Sequence, residues 1–518
     1  MTKFTSLIVL VAVGFLWRCS QPAATPKPNI LFIMSDDHTS QAWGIYGGIL
    51  EDYVQNKNIA RLAAEGATLN NAFCTNSICV PSRATILTGQ YSHRNGVRTL
   101  PDIFQPDSMN IAKVLRGNGY QTAVIGKWHL KKQPSGFDHF MVLPGQGRYH
   151  NPILKTIDNW EDGYKGGKEY EGFSSDVITD FSIEWMKNAN KDKPFFLMTH
   201  FKATHEPFDY PERFKSLYEG QEIPEPESLY DFGPETTGRT FVGQKMDELA
   251  RRMMVATKNP DKFWTSYPGL PFSTEGLDSI QARKKIYQKF IKDFMRCGAA
   301  IDDNIGRLLD YLEESGQAEN TVVIYTADQG YFLGEHGFFD KRMIYEESLR
   351  MPFVIRYPKE IKGGTRIDDI ILNIDFASLF ADYAGAENFD FGQGRSFRQN
   401  LSGNTPTDWR TSMYYRYWAH APRRPAHFGI RNHQYKLAFF YGRHLGLRGA
   451  EKKENTEPSW EFFDLEKDSK ENRNAYDDPI YSEIIKEMKE ALLEQKSLAG
   501  DSDEAYPVME EVMNSYWQ

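Results

Sequence analysis

The sequence predicts an α/β protein with a mostly parallel central sheet sandwiched by helices, followed by a smaller C-terminal α+β subdomain with an antiparallel sheet. Three observations carry this prediction. Continuous apolar runs without alternation are typical of parallel strands that are buried on both faces. Helical stretches closed by glycine lie between these runs. From about residue 413 the pattern changes to short segments typical of antiparallel strands.

The central sheet and its helices are predicted within residues 29–405. The predicted strands are Asn29–Met34, Thr122–Ile125, Pro194–Thr199 and Thr321–Thr326. The predicted helices are Ile59–Gly66, Ile111–Gly117 and a long one from about Ile280 to Gly316. In sheets of this kind ligands lie outside the carboxyl ends of the strands. The functional site is therefore expected at the residues that follow each strand.

The C-terminal subdomain is predicted over residues 406–518, with its boundary near Gly403–Asp408. Its predicted strands are Met413–Trp418, Phe428–Arg431, Tyr435–Tyr441 and Trp460–Leu465, and a helix follows from about Pro479 to Leu498. Two segments of the larger domain, Asn159–Lys168 and Pro207–Pro271, are rich in proline, glycine and charge. We expect these segments to be irregular surface insertions that roof the carboxyl edge of the sheet.

Composition excludes several classes of protein. The chain has 518 residues, of which 40% are hydrophobic and 25% charged, as is typical of a globular protein and of neither a disordered chain nor a multi-span membrane protein. The net charge of −9 provides no basic excess for nucleic-acid binding, so no nucleic-acid partner is expected. Four cysteines without a CxxC pair predict neither a disulfide scaffold nor a structural zinc site.

The first 24 residues predict a signal peptide. A basic start precedes the apolar run Leu7–Leu16, which is too short to span a membrane. The segment ending at Cys19 resembles a bacterial lipoprotein box, although Arg18 stands where a small residue is usual. The alternative is ordinary cleavage near Ala23 or Ala24. We expect an exported bacterial protein of the periplasm or the outer-membrane surface, in contact with a membrane only through an N-terminal lipid.

Hard metal ligands follow two predicted strands. Asp36 and Asp37 come directly after the first strand, and Asp328 and Gln329 come directly after the strand Thr321–Thr326. One such pair alone is more often a turn or a helix cap. Two pairs at equivalent strand ends favour one divalent cation, and the oxygen-only ligands suit Ca²⁺, with Mg²⁺ as the second choice.

The segment Cys79-Val80-Pro81-Ser82-Arg83, followed by Leu87-Thr88-Gly89, resembles the modification signature of type I sulfatases. These enzymes belong to the alkaline-phosphatase-like superfamily, and a formylglycine-generating enzyme oxidises their signature cysteine to formylglycine. Gly119–Leu130 is similar to the second sulfatase signature, Lys202–Pro207 to its His-x-Pro segment and Asp328–Ser348 to its metal and sulfate-binding segment. Gln329 departs from the usual Asn or His but still offers a carbonyl oxygen. The resemblance identifies residues 29–405 as a catalytic sulfatase domain.

The resemblance also implies roles for individual residues. Hydrated formylglycine at Cys79 has two hydroxyls, one to attack sulfur and one to expel sulfate by re-forming the aldehyde. Arg83 would hold this diol, His205 would protonate the leaving alcohol, and His129 would assist the elimination as a base. Contacts with the substrate, including its sulfate oxygens, are implied for Lys127, Lys202, Lys341 and His336.

Three functions from different classes remain open at this point. The favoured one is a sulfuric ester hydrolase that removes sulfate groups from a sulfated carbohydrate. The second is a phosphonate monoester or phosphodiester hydrolase, because related enzymes share the fold and the Cys-x-Pro-Ser-Arg segment. The third is an inactive sulfated-glycan-binding protein, which the intact set of nucleophile, metal ligands and cations argues against.

The expected substrate is an extracellular polysaccharide or its oligosaccharides, either algal, such as ulvan, or a glycosaminoglycan. Two segments, Pro144–Pro152 and Met413–His420, combine aromatic and polar residues and are predicted to be sugar-contacting loops, together with Arg423, Arg424 and His427. The alternative, that the Tyr/Trp strand of the second segment is ordinary core, stays open.

Overall fold

The structure is a computed structural model that describes residues 27–233, 237–240, 245–259, 266–452 and 454–517. The predicted signal peptide, including Cys19, lies outside the described residues. Among the residues in these ranges, no helix combines the length and the apolar character that a membrane span requires.

An eight-stranded sheet forms the centre of the fold. In spatial order its strands are Thr365–Ile367, Ala67–Leu69, Phe353–Arg356, Thr321–Ala327, Asn29–Asp36, Phe195–Thr204, Gln121–Lys127 and His139–Leu143. Neighbouring strands pair in parallel except Phe353–Arg356, which is antiparallel to both of its neighbours. The predicted mostly parallel sheet is confirmed.

Helices cover both faces of this sheet. Alternate residues of the first strand enter different cores: Ile30 and Phe32 pack in one cluster with Phe376, whereas Leu31 packs in the other with Ile301. This division explains why the strand has no apolar alternation, since both faces are buried. The α-helices are Lys57–Ala64, Cys79–Thr88, Ser92–Asn95, Ile111–Gly117, Ser174–Asn188, Met246–Lys258, Ser279–Glu314, Glu346–Leu349, Asp375–Tyr383, Arg398–Leu401, Ser482–Leu498 and Pro507–Tyr516.

A four-stranded antiparallel sheet forms the C-terminal part of the chain, as predicted. Its strands, in order, are Ser412–Tyr417, His427–Asn432, Tyr435–Phe440 and Ser459–Asp464. The helix Ser482–Leu498 packs against it, and a further helix, Pro507–Tyr516, was not predicted. Short two-stranded ribbons join Ala72–Phe73 to Ile371–Leu372, Ile153–Leu154 to Lys168–Glu169, and Phe332–Leu333 to Phe339–Asp340.

The aromatic strand of this subdomain is core, so the prediction that Met413–His420 is a sugar-contacting loop was wrong. Successive side chains point to opposite faces of a strand, and here both faces are covered. The Tyr414 hydroxyl donates to the Asp501 carboxylate at 2.5 Å, and the Tyr415 hydroxyl accepts from the Ser77 amide at 3.2 Å. His427 is also fully buried, whereas Arg423 stays exposed and Arg424 is half-buried.

The larger predicted insertion, Pro207–Pro271, is not irregular throughout. It contains the helix Met246–Lys258, whose apolar face is formed by Met246, Leu249 and Met253. These residues recur at the three- and four-residue spacing of an amphipathic helix. The smaller insertion, Asn159–Lys168, is mostly irregular, as predicted.

Candidate active site

Three carboxylates meet at the carboxyl ends of the two central strands. The strands Asn29–Asp36 and Thr321–Ala327 pair in parallel with Ser35 opposite Ala327, so Asp36 and Asp328 leave the sheet side by side. The Asp37 amide then donates to the Asp328 carboxylate at 3.1 Å. One oxygen from each of Asp36, Asp37 and Asp328 lies within 4.8 Å of the others, and all three residues are buried.

This cluster fits one hard divalent cation. Burial raises the pKa of Asp37 to about 6, with the Asp328 charge acting in the same direction and the Lys341 ammonium opposing both. Carboxylates this close repel one another when ionised, and a positive charge bound between them stabilises their ionised forms. The Oδ1 of Asp36 and the Oε1 of Gln329 are buried without a hydrogen-bond partner among the described residues. Both are oxygens, which suits Ca²⁺ or Mg²⁺ and does not favour zinc.

Cys79 begins the helix Cys79–Thr88 beside this cluster and is buried. Its Sγ, a carboxylate oxygen of Asp36 and a ring nitrogen of His205 all lie within 4.8 Å of one another. Burial raises the pKa of the Cys79 thiol to about 12. The unmodified side chain is therefore an un-ionised thiol at neutral pH, which is a poor nucleophile.

Arg83 lies one helical turn after Cys79 and joins the strand ends together. Its Nε donates to the Asp328 carboxylate at 2.9 Å, and its Nη1 donates to the Lys127 carbonyl at 2.7 Å. Its Nη2 is 3.6 Å from the Asp36 carboxylate and has no hydrogen-bond partner among the described residues. Arg83 therefore joins the carboxylates of the candidate metal site.

Two buried lysines contribute further positive charge. The Lys127 ammonium donates to the Asp36 carboxylate and to the amide oxygen of Gln146, and the Lys341 ammonium donates to Asp37. Burial lowers the pKa of Lys127 well below its ordinary value. Burial also opposes the charge on Lys341, but neighbouring Asp37 and Asp340 raise its pKa above the ordinary value. Both lysines therefore contact the carboxylates of the candidate metal site.

A cavity of about 450 Å³, which we call the main cavity, opens beside His205 and Lys202. The His205 Nδ1 bonds to the Glu206 carbonyl at 2.8 Å, and its Nε2 lies 3.7 Å from Asp37. Burial lowers the pKa of Lys202 to about 8 and that of His205 well below its ordinary value. The cavity is lined by Gln146, Gly147, Arg148, Tyr149, His150, Lys202, His205, Glu206, Pro207, Asp209, Arg251, Arg252, Val255, Ser266 and Tyr267.

One wall of the main cavity was missed by the sequence analysis. The helix Met246–Lys258 contributes Arg252, which pairs with Glu206 at 2.7 Å, and the Tyr267 hydroxyl donates to the same carboxylate. The sequence feature that could have predicted this wall is the Arg251-Arg252 pair in an amphipathic segment. The segment Pro144–Pro152, predicted to contact sugar, contributes its residues 146–150 to the lining of the same cavity.

The structure brings His129 to the cluster but does not bring His336 there. The Nδ1 of His129 is buried without a hydrogen-bond partner, and nearby Lys127 and Arg83 add to the effect of burial in lowering its pKa. The Nδ1 of His336 instead lies 2.9 Å from Arg239, and its ring packs against Phe332 and other aromatic residues. The structure therefore places His336 in a network with Arg239 and aromatic side chains, and the contacts of His336 include neither Lys127 nor Lys341 among the described residues.

Fold and site together are typical of a hydrolase of anionic esters: a buried cysteine begins a helix, oxygen ligands that fit one divalent cation lie at strand ends, and cationic side chains surround both. The chain belongs to the sulfatase family, whose family model matches residues 28–386. A second model, for the C-terminal region of N-sulphoglucosamine sulphohydrolase, matches residues 334–498. The protein is a sulfuric ester hydrolase.

A relative and a solved structure agree with the assignment to the sulfatase family, and a second solved structure shares the fold. An N-acetylglucosamine-6-O-sulfatase of Bacteroides thetaiotaomicron is 36% identical over 540 aligned positions, which cover 96% of this chain and 92% of the relative. A solved structure of a protein in complex with its substrate, D-glucosamine-2-N,6-O-disulfate, is 35% identical with a TM-score of 0.82, covering 92% of this chain and 99% of the other. A phosphonate monoester hydrolase from Silicibacter pomeroyi has 21% identity and a TM-score of 0.66, covering 92% and 96%. At that identity the last likeness shows the fold alone.

Proposed function

We propose that this sulfatase removes the 6-O-sulfate from glucosamine-based saccharides, using formylglycine at position 79 and one bound Ca²⁺. The main cavity, which is lined by His205 next to Cys79, is the observation that carries the proposal. Its volume of about 450 Å³ falls in the range of small-molecule pockets, roughly 300–1,000 Å³. The relatives that support an amino sugar as substrate cover nearly the whole chain.

The arrangement of charges suits a sulfate ester. The oxygens of such an ester repel nucleophiles, and Arg83, Lys127 and Lys341 neutralise that charge from buried positions. When bound, the cation would be held by Asp36, Asp37, Asp328 and Gln329 and would add positive charge at the same point. Formylglycine supplies a hydrated carbonyl, in which one hydroxyl can attack sulfur and the other can expel the sulfate by re-forming the aldehyde. The un-ionised Cys79 thiol cannot do this.

The leaving sugar would occupy the main cavity on the side of His205 and Lys202. The His205 Nδ1 is held by the Glu206 carbonyl, so its Nε2 is directed toward Asp37 and the nucleophile. Tyr149 donates from its hydroxyl to the His205 carbonyl, and its ring centroid lies 4.6 Å from the Lys202 ammonium. His205 would protonate the sugar oxygen as the ester bond breaks. Because burial and nearby lysines lower the pKa of His205, the ring would take up this proton when the anionic substrate binds, since a negative charge nearby raises the pKa of a histidine.

We also propose that the protein is exported, either to the periplasm or to the outer-membrane surface. The support is the basic start and the short apolar run before Cys19. Expression with radiolabelled palmitate distinguishes a protein lipidated at Cys19 from one released by ordinary signal-peptide cleavage. Label that is lost in the Cys19→Ala variant indicates lipidation, whereas unlabelled protein that begins near Ala24 indicates ordinary cleavage.

Sulfate release from defined saccharides tests the proposed function. The protein is co-expressed with a formylglycine-generating enzyme and assayed on glucosamine 6-sulfate, its galactosamine epimer, ulvan oligosaccharides and a phosphonate monoester. We expect the highest kcat/KM on glucosamine 6-sulfate, with Cys79→Ala as the inactive control. Higher kcat/KM on the ulvan oligosaccharides or the epimer would refute the proposed sugar, and higher kcat/KM on the phosphonate would refute the proposed reaction.

A further inference from the structure

A second cavity, of about 320 Å³, lies next to the main cavity. The loop after the strand His139–Leu143 separates the two: Pro144 and Gly145 line the second cavity, and Gln146 and Gly147 line the main one. His129 also lines the second cavity. Burial and the nearby charges of Lys127, Arg83 and Lys341 lower the pKa of His129, so through His129 the second cavity lies close to these cationic side chains.

Aromatic side chains form a large part of the second cavity. The Trp160 Nε1 donates to Asp162 at 3.2 Å, and the Lys155 ammonium lies 4.8 Å from a Trp160 ring centroid, so this ring is fixed from two sides. Tyr164 is 61% exposed and lies directly over Gly145, where an added Cβ would come within 2.5 Å of the Tyr164 ring. Exposed aromatic surface of this kind suits the apolar face of a sugar ring.

One lysine of the second cavity has its charge available for a ligand. Lys132 is paired with Asp162, and the Lys155 ammonium donates to the carbonyl of Gly163 at 2.8 Å. Lys131 lines the same cavity and is exposed, and no carboxylate of the described residues lies within 4.0 Å of its ammonium. Arg448 lies nearby and acts together with burial to lower the pKa of Lys131, whereas the Asp102 carboxylate opposes this effect from more than 4.0 Å away.

We propose that the second cavity binds the neighbouring sugar of the substrate chain, a pyranose with an anionic substituent, through the aromatic surface of Trp160 and Tyr164 and the charge of Lys131. This inference rests on the proposed function and extends it from one sugar to two. An anionic group at this position would pair with Lys131 while the ring packs on the aromatic side chains. The enzyme would then prefer a disaccharide to the sulfated monosaccharide.

The test compares glucosamine 6-sulfate with a disaccharide that joins it to a hexuronic acid. We expect kcat/KM to be higher on the disaccharide, and Lys131→Ala to lower the disaccharide-to-monosaccharide ratio about tenfold, the effect of one charge-assisted hydrogen bond. Tyr164→Ala, at an exposed position, should lower the same ratio. Lys165→Ala is the matched control, because Lys165 is exposed in the same segment but does not line the cavity.

Binding to the inactive Cys79→Ala protein gives a readout without turnover. Calorimetry should show a lower Kd for the disaccharide, and Lys131→Ala should remove most of that difference. The inference would be overturned if the disaccharide-to-monosaccharide ratio of kcat/KM stayed unchanged in both Lys131→Ala and Tyr164→Ala. It would also be overturned if the Cys79→Ala protein bound the two saccharides with equal Kd. Absence of sulfate release from both glucosamine saccharides by the modified enzyme would instead overturn the proposed function, and the calorimetric comparison would still decide the second cavity.

Discussion

Replacing His205 with alanine should slow the desulfation of a sugar far more than that of an activated aryl sulfate. A ring nitrogen of His205 lies within 4.8 Å of the Cys79 Sγ, and the bond from Nδ1 to the Glu206 carbonyl directs Nε2 toward the reacting group. A sugar alkoxide is a poor leaving group and needs a proton as the ester bond breaks. A nitrophenolate leaves without one, so it loses little when the acid is removed.

The expected size of this effect follows from the role of the proton. General acid catalysis contributes about 10²–10⁴-fold to a rate, which corresponds to about 3–5 kcal/mol of the activation free energy. We expect His205→Ala to lower kcat on glucosamine 6-sulfate within this range. On 4-nitrophenyl sulfate the loss should stay below about tenfold, because only the contact of His205 with the sulfate side of the site is removed.

The assay measures kcat and kcat/KM on both substrates for the wild type, His205→Ala and Lys202→Ala, each with the formylglycine content of position 79 determined first. The aryl sulfate enters the comparison once its turnover by the wild type is established. A contact with the sulfate group is common to both substrates, so equal losses on the two would reject His205 as the acid. A selective loss on the sugar substrate in Lys202→Ala would assign the acid to Lys202 instead.

Three further predictions concern pH, metal and stability. Because burial lowers the pKa of Lys202 to about 8, its ammonium is present below that pH and lost above it. A pH–rate profile should therefore show kcat/KM falling above pH 8, and Lys202→Arg should move this fall to higher pH. Asp328→Asn should lose its cation in elemental analysis and at least about 10²-fold of activity, whereas the exposed control Asp310→Asn should keep both. Arg416→Met should lower the unfolding free energy in urea by about 3–5 kcal/mol, since it breaks the Arg416 pairs with buried Asp501 and with Asp503, and a loss below about 1 kcal/mol would contradict this.

The proximity of the predicted metal ligands to Cys79 could be predicted from the sequence because two strong local signals coincide there. Asp36 and Asp328 directly follow apolar runs, and the ends of adjacent parallel strands must lie side by side. Cys79 and Arg83 are fixed relative to each other by one helical turn. Neither relation depends on the conformation of a long loop.

Other placements depend on side-chain direction, which motif order along the chain does not determine. His336 has a left-handed backbone (φ 57°), and its ring packs among aromatic residues although its sequence neighbours resemble the sulfate-binding segment. Tyr414 and Tyr415 are both buried because tertiary packing covers both faces of their strand. The amino-acid pattern does not distinguish a strand with one buried face from a strand with two.

The short outer elements and the cavity wall were also beyond sequence reasoning. Strands of three to five residues, such as Ala67–Leu69 and His139–Leu143, carry too little periodicity to be recognised, and their place is set by pairing with longer neighbours. The helix Met246–Lys258 was hidden between segments rich in proline and charge. Its contribution to the main cavity, including Arg252, follows only from the fold.

The rate of sulfate release as a function of the conversion of Cys79 tests the central claim most directly. Preparations made with graded amounts of the formylglycine-generating enzyme are assayed on glucosamine 6-sulfate, and mass spectrometry gives the converted fraction of each. Because the buried thiol is un-ionised at neutral pH, the rate should rise in proportion to that fraction and extrapolate to zero for unconverted protein. A rate that is independent of conversion, or substantial turnover by fully unmodified protein, would contradict the account.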